Sequence, residues 1–316
     1  MAVKKRKGKK RRRLGLKIAL ALLVCLALGV FSLYAASRVV HVRYATVHLR
    51  DLPAAFEGTT VLFVSDLDIH SASGARAAAA MMDALAPLQP DLLLLGGDYT
   101  SLGLWETING MRPDDAAVSA AAVSNRHLFF SALADFEAPL GKFAVSAAED
   151  AFAGQLAQSM QVGGVRLLDG ESVILSRDGQ RLVIAGISPE GDAAQIAATV
   201  REGDCVLAFT HTPDNFASAL IAEAGGGGAW ADLILAGGTH GGQMRIGDRT
   251  LLSLTERERS YLSGWRKESG VFLLTSQGVG CEVADLRLNT AAEVHFITLR
   301  RAAQPLEEDT SGIFMQ

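Results

Sequence analysis

From Thr59 onward, short apolar runs alternate with longer segments rich in alanine. The runs TTVLFVS, DLLLLGG, GKFAVS, VLAFT, DLILAGG, GVFLLTS and AEVHFITL are nearly continuous Val, Leu, Ile and Phe, bounded by Gly, Asp or Ser. Runs of this length and composition read as strands covered on both faces. Between them, about Gly74 to Leu88, about Ala116 to Phe136, and Asn215 to Ala224 read as helices. Strand–helix alternation of this kind predicts an α/β domain with a parallel sheet. VRLLDG, ESVILS and QRLVIAGI predict a β-meander turning at Arg177-Asp178-Gly179, and VVHVRYATVHL alternates enough to form an earlier first strand.

The N-terminal pattern is different. Residues 1–17 hold ten Lys or Arg and no acid, whereas the whole chain has 30 basic and 34 acidic residues, so a basic tail precedes an acidic body. Ile18 to Ser37 is charge-free, and as a helix it would extend about 30 Å, the thickness of a bilayer core. An uncleaved signal anchor is expected over 18–37, because the apolar stretch exceeds a typical signal-peptide core and no small-x-small site precedes Arg38. The positive-inside rule then predicts a single-pass protein of the cell membrane with a cytoplasmic N-terminus and an extracytoplasmic body. Lipid is the expected partner of the helix and basic tail. Nucleic acid is not expected, since the basic cluster lacks interleaved aromatics. Cys205 and Cys281 lie in the body, and their spacing does not say whether they pair.

The boundaries implied are a tail (1–17), the span (18–37), a juxtamembrane segment with the first strand (38–57), the main domain (58–301) and a loose tail (302–316). At 49% hydrophobic content the chain has enough apolar material for a core.

Candidate chemistry sits just past the apolar runs. Asp66 and Asp68 follow VLFVS, Asp98 follows LLLLGG, His211 follows VLAFT, and His240 follows LILAGGT. Carboxyl ends of strands are where ligands bind in open α/β sheets. Each residue alone reads equally as a cap or turn former. Carboxylates from early strands with imidazoles from late ones favour a divalent-metal site.

The succession SDLD, GGD, HTPD and GGTHGGQ, closed by LLTSQGVG, resembles the calcineurin-like metallophosphoesterase family, in particular its membrane-anchored branch with a GHTHGGQ-type signature. The likeness runs from about Gly58 to Arg300. It implies a four-layer α/β/β/α sandwich, preceded here by the transmembrane helix, with two metals at one edge of the two sheets. It also implies roles. The family's Asp-x-His corresponds to Asp66-Leu67-Asp68, its bridging aspartate to Asp98, and its later histidine to His211. Its Gly-Asn-His-Asp/Glu motif aligns with Ala147-Ala148-Glu149-Asp150, and its Gly-His-Thr-His motif with Gly237-Gly238-Thr239-His240. Three expected ligands and the motif histidine are therefore changed.

By this resemblance the first metal position draws on Asp66, Asp68, Asp98 and His240, an oxygen-rich set suited to Mn²⁺, Mg²⁺ or Ca²⁺. The second keeps Asp98 and His211, so one ion, or none, is expected rather than a full pair. His70, Glu149 and Asp150 are possible substitutes, with a solvated loop histidine and a helix-start acidic pair as their plainer readings. Glu149 stands where the family's motif histidine interacts with phosphate, adding negative charge there. Two functions remain open. One is a catalytically impaired or inactive protein with a binding or regulatory role. The other is an active phosphomonoester or phosphodiester hydrolase with one metal or a rebuilt pair. A phosphate-containing ligand fits both, and no protein partner is indicated. Ser65 lies in no G-x-S-x-G elbow, and the glycines lack dinucleotide-binding spacing.

Overall fold

The computed structural model describes residues 2–153, 155–302 and 312–315. The chain begins with α1 (Ala2–Ser37), β1 (Val40–Leu49), β2 (Thr60–Val64), α2 (Ala72–Leu85), β3 (Leu92–Leu95), α3 (Leu104–Ile108), α4 (Ala116–Ala132), β4 (Gly141–Ala144), α5 (Leu156–Val162) and β5 (Arg166–Leu167). It continues through β6 (Glu171–Arg177), β7 (Gln180–Ile187), α6 (Ala193–Ala197), β8 (Cys205–Thr210), α7 (Phe216–Ile221) and β9 (Leu233–Ala236). A small hairpin, β10 (Arg245–Ile246) with β11 (Arg249–Thr250), precedes α8 (Glu256–Ser260), β12 (Gly264–Glu268), β13 (Val271–Thr275), β14 (Ala292–Arg301) and β15 (Gly312–Met315).

Two sheets form. One has seven strands in the order β15-β1-β14-β2-β3-β4-β5, the other six in the order β12-β13-β9-β8-β7-β6. Strand side chains point to opposite faces in turn, so each continuous apolar run supplies two interfaces. Val61, Phe63, Leu92 and Leu94 meet Leu182, Ile184, Leu207 and Leu235 between the sheets. Leu62, Val64, Leu93 and Leu95 pack outward with Phe129, Phe130 and Met160 of α4 and α5. Val183, Ala185, Val206 and Ile234 pack on the other side with Ile196 and Phe216 of α6 and α7. The result is the expected α/β/β/α layering.

One expectation changes. VRLLDG does not join a meander: Phe143 and Ala144 pair in parallel with Arg166 and Leu167, placing β5 at the edge of the first sheet. Asp169 fixes this by accepting from the Ser146 N–H (2.8 Å) and hydroxyl (2.6 Å). Of the three meander segments, β6 and β7 form a hairpin, turning through Asp178 (φ 51°) and Gly179 (φ 72°), the positive φ pair of a two-residue hairpin turn. The early first strand expected within 38–57 forms as β1, which pairs along its whole length with β14. Within the C-terminal tail, Gly312–Met315 pairs antiparallel with β1, while 303–311 and 316 lie outside the described residues.

Among the described residues one helix, Leu14–Ser37, is long and apolar enough by length and composition to cross a membrane, and its most apolar stretch is not buried against the body. Its C-terminal end is tied down: the Ser37 hydroxyl donates to the Asp285 carbonyl at 2.9 Å, and the Arg287 N–H to the Leu33 carbonyl at 3.4 Å.

β14 also anchors a loop above the sheet edge. Glu293, nearly buried, is 3.0 Å from Arg43 Nε and 3.3 Å from His295 Nε2, and accepts the Gln277 N–H at 3.1 Å. Burial alone would raise its pKa, but His295, the Gln277 N–H and Arg43 hold it down at about 2. A carboxyl depressed on folding adds stability above its unfolded value, near 4.5, and loses it as pH falls to about 2. The thermal midpoint is therefore expected to drop across that window. Glu293→Gln should make the drop shallower when thermal unfolding is followed by circular dichroism.

Candidate metal centre

The residues that follow β2, β3, β8 and β9 converge. Asp66, Asp68 and Asp98 come from the first sheet, and His211 and His240 from the second. Four of them adopt left-handed backbone: Asp66 (φ 54°), Asp68 (φ 46°), Asp98 (φ 57°) and His240 (φ 50°). Such conformations cost about 1–3 kcal/mol each and persist where surrounding contacts enforce them. Here the Asp98 carbonyl accepts the N–H groups of both Leu67 (2.8 Å) and Asp68 (3.0 Å), and the Gly97 carbonyl accepts that of Asp66 (3.0 Å). Across the sheets, the Gly238 N–H donates to Asp66 Oδ1 at 2.7 Å. Gly237 permits this approach, because a Cβ there would lie 2.5 Å from Asp66 Oδ2.

His240 is at the centre. Its Nδ1 is 3.6 Å from Asp68 Oδ2, and its Nε2 is 3.9 Å from Asp66 Oδ1, 3.8 Å from Asp98 Oδ2 and 3.8 Å from Glu282 Oε1. Two overlapping donor groups result, Asp68–Asp98–His240 and Asp66–Asp98–His211, each with its ligand atoms within 4.8 Å of one another. Asp98 is common to both. Asp66 lies 3.9 Å from His211 Nδ1 as well, so the second group has three donors where the sequence indicated two. His211 Nδ1 is 2.9 Å from the Gly96 carbonyl. An N–H donated there leaves Nε2 with the free lone pair.

These donors fit a divalent cation. Asp66 Oδ2, both oxygens of Asp68, Asp98 Oδ1 and His240 Nδ1 are buried without a hydrogen-bond partner. Buried carboxylates this close repel one another unless positive charge is added. Protons show the same demand. Burial would lower the His240 pKa, but Asp68 and Asp66 raise it to about 10. Burial and then Asp98 raise that of Asp68.

The substitutes considered from sequence have separate positions. Asp150 is buried and accepts the N–H groups of Asp98, Tyr99 and Ala147, each at 2.9 Å, so it holds the Asp98 loop with both oxygens engaged. Burial and then Asp98 raise its pKa to about 7. His70 turns away, to Ser101 Oγ (3.4 Å) and Asp285 Oδ1 (3.2 Å). Glu149 is exposed beside Ala148 on the wall of the cavity over the site. At Gly238, φ is +80° and a Cβ would sit 3.0 Å from the His211 carbonyl, so an L side chain at that position would be strained. Cys205 and Cys281 are separate free thiols.

Glu282 is the residue the sequence reading missed. It lies seven positions beyond β13, and its signal is weak: one more acid past an apolar strand, beyond LLTSQGVG. Gln243 secures it, accepting the Glu282 N–H at 2.9 Å and donating to the carbonyls of Glu282 and Ala284 at 3.1 Å each. Buried Arg287 braces the same region, donating to the carbonyls of Gln277 (2.8 Å) and Gly280 (2.6 Å). Above the donors is a cavity of about 600 Å³. Its charged lining is Asp68, Asp98, Glu149, Asp214, Glu258 and Glu282 with His211, and no Lys or Arg is among the lining residues.

No family model matches the chain. It is 26% identical over 227 residues to an uncharacterized metallophosphoesterase of Aquifex aeolicus (strain VF5), an alignment covering 67% of this chain and 74% of that protein. The likeness supports the metallophosphoesterase family. The two-sheet architecture and the clustered Asp and His donors agree with it.

Because Asp98 belongs to both groups, Asp98→Ala should abolish Mn²⁺ binding in titration calorimetry, whereas His211→Ala and His240→Ala should each weaken one group. Wild-type heats in Asp98→Ala would remove the shared-ligand arrangement. Asp150→Asn keeps one oxygen for the Asp98 and Ala147 N–H groups but sets its NH₂ against the Tyr99 N–H, and should destabilise the fold by about 1–3 kcal/mol in denaturant unfolding.

Proposed function

We propose that this chain is a membrane-anchored, metallophosphoesterase-like protein that binds divalent metal and a phosphate-containing ligand with turnover impaired. The observation that carries this reading is the cavity wall. Among the described residues that line it there is no Lys or Arg, and the aligned Asn-His pair is replaced by Ala148-Glu149.

Asp66, Asp68, Asp98, His211 and His240 would hold the metal. When bound, divalent cations would supply the charge that polarises a phosphoryl group and activates water. The chain's own residues add little to that chemistry. Glu149 and Glu282 line the cavity as acids and oppose an anion's approach, and burial raises the Glu282 pKa. No imidazole occupies the position from which a leaving group would be protonated. General acid–base assistance is commonly worth about a hundredfold to ten-thousandfold in rate, and that contribution is missing. A binding or regulatory role fits a site that keeps its metal donors and lacks this group.

An active hydrolase is the second reading, favoured by the Asp66–Asp98–His211 group, which supplies a third donor at the second position. Turnover of aryl phosphomonoesters and phosphodiesters by the full chain with Mn²⁺, Mg²⁺ or Ca²⁺ separates the two. The impaired reading expects negligible rates with wild type and a gain of about a hundredfold or more in Ala148→Asn/Glu149→His, whose positions are exposed and free to accept new side chains. Substantial wild-type turnover, lost in Asp98→Ala, would establish the active hydrolase instead.

A further inference from the structure

The short helix α3 puts little of itself into the core. Glu106 is half-buried in a pocket shared with His70 and Asn125, while Thr107, exposed, borders the cavity over the metal donors and donates to the Gly103 carbonyl at 2.9 Å. Its apolar members face outward, with Leu104 52%, Trp105 71% and Ile108 72% exposed. Spacings of three and four residues place these on one side of the helix. An apolar face of this kind is stable where the surroundings are apolar too.

The neighbouring surface is the apolar helix itself. Leu104 and Leu286 line a groove with Leu23, Leu26, Val30 and Phe31 of α1. Through Leu104 the exposed face of α3 thus meets the segment long enough to cross a membrane. A Trp flanked by aliphatic residues beside such a span matches the composition of membrane interfaces, where an indole buries its ring and keeps its N–H near headgroups. α3 is also tied to the site: Gly103, at its start, bridges to Val283, next to Glu282, and Leu102 and Val283 line the cavity.

We propose that Leu104, Trp105 and Ile108 form an interfacial foot that inserts into the bilayer beside α1, seating the cavity rim against lipid headgroups. This rests on the anchor reading of α1 and not on turnover. The cavity then faces phosphoesters presented by the membrane surface.

The test uses the full chain reconstituted in phosphatidylcholine vesicles with acyl chains brominated near the headgroup. Trp230 is buried and Trp265 lies on β12, so the accessible quenched emission is assigned to Trp105. Quenching is expected in wild type, with loss of the quenched component in Trp105→Phe. Leu104→Ser/Ile108→Ser, at exposed positions, should reduce quenching while leaving the circular dichroism spectrum unchanged. Retention of the chain after an alkaline carbonate wash, with no difference in quenching between wild type and Trp105→Phe, overturns the foot and leaves the anchor standing. Release by carbonate overturns both. A concentration-dependent dimer in detergent, lost in Leu104→Ser/Ile108→Ser and accompanied by unquenched Trp105 in vesicles, overturns the proposal and assigns the face to a second copy.

Discussion

Bringing Asp66, Asp68 and Asp98 together in the interior is the constraint on which the rest of the site depends. Their side chains have almost no contact with solvent, and several of their oxygens have no donor. Such a cluster is unfavourable unless positive charge sits within it. The raised pKa of His240 reflects the same demand that a divalent ion would meet. Metal binding and the stability of this end of the fold are therefore expected to be linked, since an ion that binds only the folded chain stabilises it.

Holding the cluster in place requires backbone work at every level. Left-handed turns at all four central residues aim their side chains inward, and those at Asp66, Asp68 and Asp98 are fixed by hydrogen bonds to another loop. Asp150 draws the Asp98 and Ala147 segments together, while Gln243 and Arg287 bind the late loops to one another. The glycine-rich stretch ending in Gln243 thus has two functions. It lets His240 approach Asp66, and it carries the amide that positions Glu282.

The cavity above this centre combines strong negative potential with partly apolar walls. Any anionic ligand entering it depends largely on bound cations for attraction, because its described lining includes no Lys or Arg. The same loop that brings Glu282 to the cavity continues through Asp285 and Arg287 to the end of α1. Metal centre, cavity and apolar helix are consequently joined through one short segment of chain.

The sequence by itself determined most of the strands and put five candidate donors at their carboxyl ends, while the layering followed from the resemblance its motifs carry. Continuous Val and Leu runs can be buried on both faces in only a few architectures, and a polar residue just past such a run must lie at a sheet edge. It also fixed the long apolar helix, since length and lack of charge are local properties. Only the tertiary structure decided which donors share a centre. Asp66 reaches His211 as well as His240 because the two sheets pack at one angle and register, which no single segment encodes. The same holds for β5, whose residues read as part of a meander until Asp169 ties them to the end of β4. It holds for Asp150, an apparent surface acid whose oxygens are consumed by three backbone donors. Glu282 was invisible for a related reason: its place beside His240 is set by the Gln243 amide, a contact between loops 39 residues apart that arises only when β9 and β13 lie side by side.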